Sequence, residues 1–136
     1  MTVPAGHTLA LNFDAPNGTI FSATVRFLPA AFRSDTTLTS QCTAATTALS
    51  DIVTADNGLG QGAISSVQAK TLMAQASQAL EGASASGVAG HELAALRAWL
   101  TANPTADPRT APMPKTINEL CVDNESPLQT ISRYGG

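Results

Sequence analysis

The residues of this sequence that could do chemistry are few and lie far apart. A glycine-rich segment, residues 58–62, comes directly before a predicted helix, and backbone N–H groups in such a turn can bind an anion. The element before it is itself a predicted helix rather than a strand, and no Lys-Ser/Thr pair follows as in a phosphate-binding loop. We therefore expect a flexible turn between two helices, and anion binding by this turn stays an open alternative.

A metal site would have to draw on His7, His91, Cys42 and Cys121, which are the residue types that zinc prefers. These four residues lie in separate regions, and neither histidine has a further ligand one helical turn away on a shared face. We therefore predict no metal site. Neither cysteine belongs to a C-x-x-C pair, so we expect two buried, reduced thiols, with a Cys42–Cys121 disulfide as the alternative.

Catalysis is equally poorly supported. The sequence has no G-x-S-x-G motif, and neither cysteine has basic neighbours that would activate it as a nucleophile. Asp51 and Asp56 are five residues apart and do not share a helical face, while Glu119, Asp123 and Glu125 fall in a short polar segment. We predict that the protein is not an enzyme and has no catalytic residue, no cofactor and no small-molecule substrate.

Charge is scarce in the part of the chain that is predicted to be helical. Residues 36–80 carry only Asp51, Asp56 and Lys70, whereas an ordinary composition of about 25% charged residues would give about eleven. Thr, Ser and Gln occupy the other polar positions, and their burial costs far less than that of an ion. This composition predicts a helical face that is buried against a partner.

The overall composition excludes several classes of partner. The net charge is −3, and the two lysines and five arginines are scattered, so we expect no direct nucleic-acid binding. We expect neither a transmembrane segment nor a signal peptide, because no apolar run is long enough and the first residues lack a basic, then apolar, leader pattern. Of 59 apolar residues 24 are alanine, which predicts a thin core and modest stability as a monomer.

Hydrophobic periodicity and turn residues predict the elements. Strands are expected over 8–13 and 19–27, joined by a turn that contains Pro16-Asn17-Gly18. Helices are expected from a Ser34 or Asp35 cap to about residue 55, over 63–80, and over 90–100. A capping box formed by Thr116 and Glu119 predicts a short fourth helix.

These elements predict an α+β fold in which a β-hairpin, an antiparallel helical pair and a third helix form one domain over residues 1–103. Four prolines between residues 104 and 114 predict an extended arm over residues 104–136 that carries the short helix. Because a two-stranded hairpin leaves open edges, it must pack on the helices or join strands of another chain, and we expect the second. We expect the arm to dock on another subunit.

The function that this composition favours is a structural subunit of a large assembly. In its small size, its many Ala and Thr residues and its few charged residues, the chain is similar to head, neck or tail components of tailed bacteriophages, although no motif identifies a family. The expected partners are copies of itself and other structural subunits, in a virion made in the host cytoplasm. The alternative is a small soluble, dimeric binding or regulatory module. The predicted interface residues are Thr24, Phe27, Thr43, Thr47, Met113, Leu128, Ile131 and Tyr134.

Overall fold

The computed structural model describes residues 8–14, 20–26, 35–83 and 86–135, and for the first two of these segments it describes the backbone alone. The chain divides into two compact units, Met1–Arg33 and Ser34–Gly136. The predicted boundary between residues 103 and 104 does not coincide with this division.

The first unit contains two strands, β1 (Thr8–Asp14) and β2 (Ile20–Arg26). They pair antiparallel, with Thr8 opposite Arg26 and Asp14 opposite Ile20. The predicted turn residues Pro16, Asn17 and Gly18 lie outside the described residues, as does Phe27.

The second unit is helical, and the predicted α+β fold class is wrong. Its described residues form four helices and a short 3₁₀ helix, with no strand among them. The physical reason is that the described helices bury their apolar side chains against one another and against the segment after residue 103.

The first two helices are α1 (Thr36–Gly60) and α2 (Ser66–Ala79). As predicted, Asp35 caps α1: its Oδ1 accepts hydrogen bonds from the N–H groups of Thr37 and Leu38 at 2.8 and 3.1 Å. Helix α1 runs past its predicted end near residue 55. Gly58 is the reason that this stretch packs closely, because a Cβ there would lie 2.8 Å from Ile64 and 3.0 Å from Tyr134.

The other two helices are α3 (Gly87–Ala102) and α4 (Thr116–Asp123). Helix α4 occurs where it was predicted, but the predicted Thr116–Glu119 capping box is wrong, since the cap residue is Lys115 and no side chain of the cap bonds to the helix. Glu92 of α3 takes over that role. Its two carboxylate oxygens accept the N–H groups of Thr116 and Ile117 at 3.0 and 2.9 Å.

The segment after residue 103 belongs to the core of the helical unit. The 3₁₀ helix Pro108–Thr110 packs on α1, and α4 packs on α1 and α3. Ile117 and Cys121 are fully buried, together with Leu80, Leu93 and Leu96 of the preceding elements. An arm that leaves its own domain was predicted here; the structure instead places this segment among the helices that bury it.

Candidate subunit interface

The glycine-rich turn does not offer an anion site. The N–H groups of Gln61 and Gly62 donate to the last carbonyls of α1, and those of Ala63 and Ile64 both donate to the carbonyl of Gly58, at 2.8 and 3.2 Å. Ser65 and Gln68 then form a capping box at the start of α2. Because these amides are already hydrogen-bonded, the segment acts as a helix-to-helix turn.

The two cysteines form a disulfide, so the expectation of reduced thiols is wrong. Cys42 of α1 and Cys121 of α4 are 79 residues apart in sequence, and both are almost fully buried. His91 is exposed at the start of α3, and His7 lies outside the described residues. Within the described segments, no group of three or more His, Cys, Asp or Glu side chains could hold a metal ion.

The exposed side of α1 carries a row of hydroxyl groups. Thr43 and Thr47, both predicted interface residues, are exposed, and each donates its hydroxyl proton to the backbone carbonyl four residues earlier, at 3.0 and 3.2 Å. Thr39 and Ser40 bond in the same way, to the carbonyls of Asp35 and Thr36. These four residues are called the threonine face. Their hydroxyl protons need no partner from outside the helix.

A second row of hydroxyls on α1 holds the residues that follow α4. Residues 127–134, called the strap, run along the helix and donate alternate N–H groups to it. Gln129 donates to Thr46 Oγ1 at 3.4 Å, Ile131 to Ser50 Oγ at 3.0 Å, and Arg133 to Thr54 Oγ1 at 3.3 Å.

The spacing of these three bonds follows from the geometry of the two segments. Four residues of α-helix advance about 6 Å, and two residues of extended chain advance about the same distance. Each step along the strap therefore meets the next hydroxyl along α1. This row was not among the predicted site residues, although its spacing of four residues on a predicted helix was a usable signal.

A shallow groove of about 340 Å³ lies between the threonine face and the beginning of the strap. Its walls carry hydroxyl, amide and apolar groups but no charged side chain; they are formed by Thr39, Cys42, Thr43, Thr46, Thr47, Ser126, Pro127 and Gln129. An extended, uncharged peptide could lie in this groove without displacing an ion pair.

The other predicted interface residues are scattered over the helical unit. Leu128 and Tyr134 are half-buried, and Leu128 packs against the unit's own core. Ile131 is 68% exposed and Met113 is 48% exposed. Thr24 lies in β2, opposite Ala10, in the other unit. Leu128, Ile131 and Tyr134 thus lie together on the strap. A subunit interface at any of these residues stays a prediction.

Several charged side chains lie on α1, on the strap and at the 3₁₀ helix. Burial raises the pKa of Asp51 on α1, and the positive charge of Arg133 on the strap acts in the opposite direction. Arg109 lies 2.8 Å from Asp107 and 3.5 Å from Asp56. The hydrogen bond from Arg109 lowers the pKa of Asp107. These charges lie outside the groove.

A second, larger groove of about 550 Å³ lies between the end of α1, the start of α2 and residues 104–107. Its lining is mainly apolar and includes Leu59, Val67, Met73 and Ala106, with Lys70 and Asp107 as its charged residues. Val67 is 72% exposed. No sequence pattern marked this groove in advance, because residues 104–107 and α2 meet only in the folded chain.

Three comparisons with known proteins found no match. In the described part of the chain, no helix is both long and apolar enough to cross a membrane. No protein-family model matches the sequence, no curated protein matches it, and no solved structure matches its fold.

Proposed function

We propose that this chain is a structural subunit of a large protein assembly, and specifically a component of a bacteriophage head, neck or tail. The observation that carries the proposal is the threonine face of α1. It is an exposed helical surface without charge, and it borders a groove whose lining is also uncharged.

The hydrogen bonds of the threonine face explain why its burial is inexpensive. Removing a polar group from water costs free energy when the group loses its hydrogen bonds. The hydroxyls of Thr43 and Thr47 keep their bonds to backbone carbonyls of the same helix after a partner covers them. A subunit contact can therefore form here without desolvating an ion or leaving a donor unpaired.

The bacteriophage assignment rests on composition. This small chain has 12% charged residues and many Ala and Thr residues, and in size and composition it resembles the small structural proteins of such particles. The larger groove favours a second candidate, a dimeric binding module, since an open, mainly apolar groove with Lys70 and Asp107 in its lining suits a small ligand or a peptide.

A double substitution tests the proposed contact. Thr43→Lys with Thr47→Lys places two charges on one helical face, and burying an unpaired charge at an interface costs several kcal/mol, on the order of 3 to 5. Sedimentation velocity should show loss of the assembled species, with unchanged helical circular dichroism. Ala95→Lys with Ala98→Lys is the matched control, at exposed positions of α3 near the Arg97–Glu81 ion pair.

The size of the wild-type species separates the two candidates. Rings, tubes or shells in sedimentation and electron microscopy support the structural role, whereas a discrete dimer at every concentration supports the binding module. Assembly of the Thr43→Lys, Thr47→Lys chain at the wild-type level would show that this face is not a contact. Mass spectrometry of purified phage particles tests the bacteriophage assignment directly.

A further inference from the structure

We propose that the strap exchanges between copies of this chain, so that residues 127–134 of one copy lie on the α1 hydroxyl row of a neighbouring copy. This inference rests on the proposed assembly function and names the partner of the second hydroxyl row as another copy of the same chain. The exchanged contact uses the hydrogen bonds of the closed chain and needs no new surface.

The contacts of the strap can be reproduced by any copy. The donors are the backbone amides of Gln129, Ile131 and Arg133, and the acceptors are three hydroxyls on one helix. A neighbouring α1 presents the same acceptors at the same spacing. The strap therefore forms the same three backbone hydrogen bonds on a neighbouring α1 as on its own.

Release of the strap leaves most of the core intact. Ile131 is 68% exposed, and Gln129, Thr130 and Arg133 are also exposed, so they contribute little to the core. Leu128 and Tyr134 are only half-buried. Besides the hydroxyl row, the side chain of Asn57 on α1 holds the strap by donating to Ser132 Oγ and to the carbonyl of Tyr134, at 2.9 and 3.3 Å. Tyr134 also packs close to Gly58 of α1. Most of the strap's attachment is therefore to α1, which every copy presents.

The residues before the strap provide a fixed base. The side chain of Asn124 is buried, accepts the N–H of Asp35 at 2.7 Å and donates to Thr39 Oγ1 at 2.9 Å. One turn earlier, the disulfide joins Cys121 to Cys42 of α1. Because both connections lie before the strap, the strap can leave while α4 stays in place.

The hinge lies at Glu125. The N–H of Ser126 donates to the carbonyl of Cys121, and that of Glu125 donates to the carbonyl of Val122, the two bonds of a Schellman turn. Glu125 occupies the left-handed position of this turn, with φ of 56°, where glycine is usual. Opening of the hinge releases Glu125 from this conformation, which favours exchange.

Concentration decides which form is populated. A short connection gives the strap an effective concentration at its own α1 on the order of millimolar, so an isolated chain at micromolar concentration stays closed. An assembly places a neighbouring α1 at a comparable local concentration. Exchange is therefore expected in the assembled state and not in dilute solution.

A cross-linking experiment distinguishes the two forms. Ser50→Cys is made in one chain, labelled with ¹⁵N, and Ile131→Cys in a second, unlabelled chain, since the N–H of Ile131 and Ser50 Oγ are 3.0 Å apart. The two full-length chains are mixed, assembled and treated with a mild oxidant. Mass spectrometry then measures the disulfide between residues 50 and 131, which in this mixture can form only between chains. A chain with both substitutions shows the yield of the closed form.

The expected result is an interchain 50–131 link in the assembled mixture, at least about tenfold above its yield at 10 μM, given an effective concentration in the millimolar range. An assembly that forms with only the intrachain link of the double variant would overturn the exchange and leave the proposed function standing. If no assembly forms, the proposed function fails, and the mixture at about 1 mM decides the exchange alone: an interchain link supports it, and its absence overturns it.

The hinge has its own test. Glu125→Gly removes the penalty of the left-handed conformation in the closed chain, so the interchain yield should fall about two- to fivefold. An unchanged or increased yield would overturn the role of Glu125 as the hinge. Glu119→Gly would disturb α4 itself, so Glu119→Ala, at an exposed position of the same helix, is the matched control.

Discussion

At the scale of single residues, Glu92 joins two helices that the sequence presents as independent. The carboxylate belongs to α3 and accepts the first N–H groups of α4, which have no partner within their own helix. Burial acts to raise the pKa of Glu92, but the hydrogen bonds from Thr116 and Ile117 outweigh it and lower the pKa. The charged form is therefore the form that stabilises the fold.

Glu92→Ala should destabilise the helical unit by about 1 kcal/mol, the usual effect of losing a helix cap. This corresponds to a decrease in the melting temperature of about 4–8 °C for a domain of this size. Thermal unfolding followed by circular dichroism measures the change. Glu119→Ala is the control, because the predicted capping box would make Glu119 the residue whose loss lowers the melting temperature. A larger decrease for Glu119→Ala than for Glu92→Ala would contradict the role of Glu92 as the cap.

The same contact predicts a pH dependence. Because the pKa of Glu92 is lower in the folded chain, its stabilisation is fully present above the ordinary glutamate pKa of about 4.3 and is lost as pH falls through the lowered folded value. Glu92→Gln cannot titrate. The difference in melting temperature between wild type and Glu92→Gln should therefore shrink from pH 6 to pH 3. A difference that does not change with pH would assign the effect of the substitution to lost packing.

At the scale of elements, the disulfide links α4 covalently to α1. Helix α4 has only eight residues and is too short to be stable alone in water. It is held by the buried side chains of Ile117 and Cys121, by Glu92 at its start and by Asn124 at its end. The bond between Cys42 and Cys121 closes a long loop, which removes conformational entropy from the unfolded chain.

Reduction of this disulfide should destabilise the helical unit by up to about 4.5 kcal/mol, the chain-entropy value for a loop of this length. Urea unfolding with and without a strong thiol reductant measures the loss as a lower midpoint. A chain with Cys42→Ala and Cys121→Ala is the control, and its midpoint should not respond to reductant. Equal urea midpoints for the oxidised and reduced wild-type protein would show that the disulfide does not contribute to the stability of the helical unit.

At the scale of the whole molecule, the helical unit contains its own core and its own cross-links. Residues Ser34–Gly136 form one compact unit with its own cluster of buried apolar residues. The segment after residue 103 contributes Ile117 and Cys121 to that core. Removing this segment should therefore destabilise the helical unit strongly, whereas removing the first unit should change its melting temperature little.

A chain of residues 34–136 should fold alone, with a melting temperature within about 3 °C of that of the full chain, because compact domains with their own core fold independently. A chain that stops after Asn103 should lose cooperative unfolding, since it lacks the disulfide and a buried isoleucine, which alone contributes about 2–5 kcal/mol. Calorimetry of the two fragments measures both effects. If the chain that stops after Asn103 unfolds cooperatively near the melting temperature of the full chain, residues 104–136 form a separate arm.

Local signals in the sequence predicted part of this molecule well. The cap at Asp35, the short helix after Thr116 and the approximate places of α1, α2 and α3 all follow from patterns within a few residues. Such signals involve residues that are close in sequence, and these residues lie close in space in any tertiary fold. The scarcity of charge on α1 and α2 is likewise a property of the sequence alone.

The tertiary structure decided everything that joins distant residues. Glu92 and Ile117 are 25 residues apart, Asn124 and Asp35 are 89 apart, and the two cysteines are 79 apart. The proline-rich composition correctly excludes a continuous helix after Asn103, but it does not say where the segment goes. Such contacts depend on which apolar faces pack together, and that choice is made by the whole core rather than by any local pattern, so only the folded helical unit shows it.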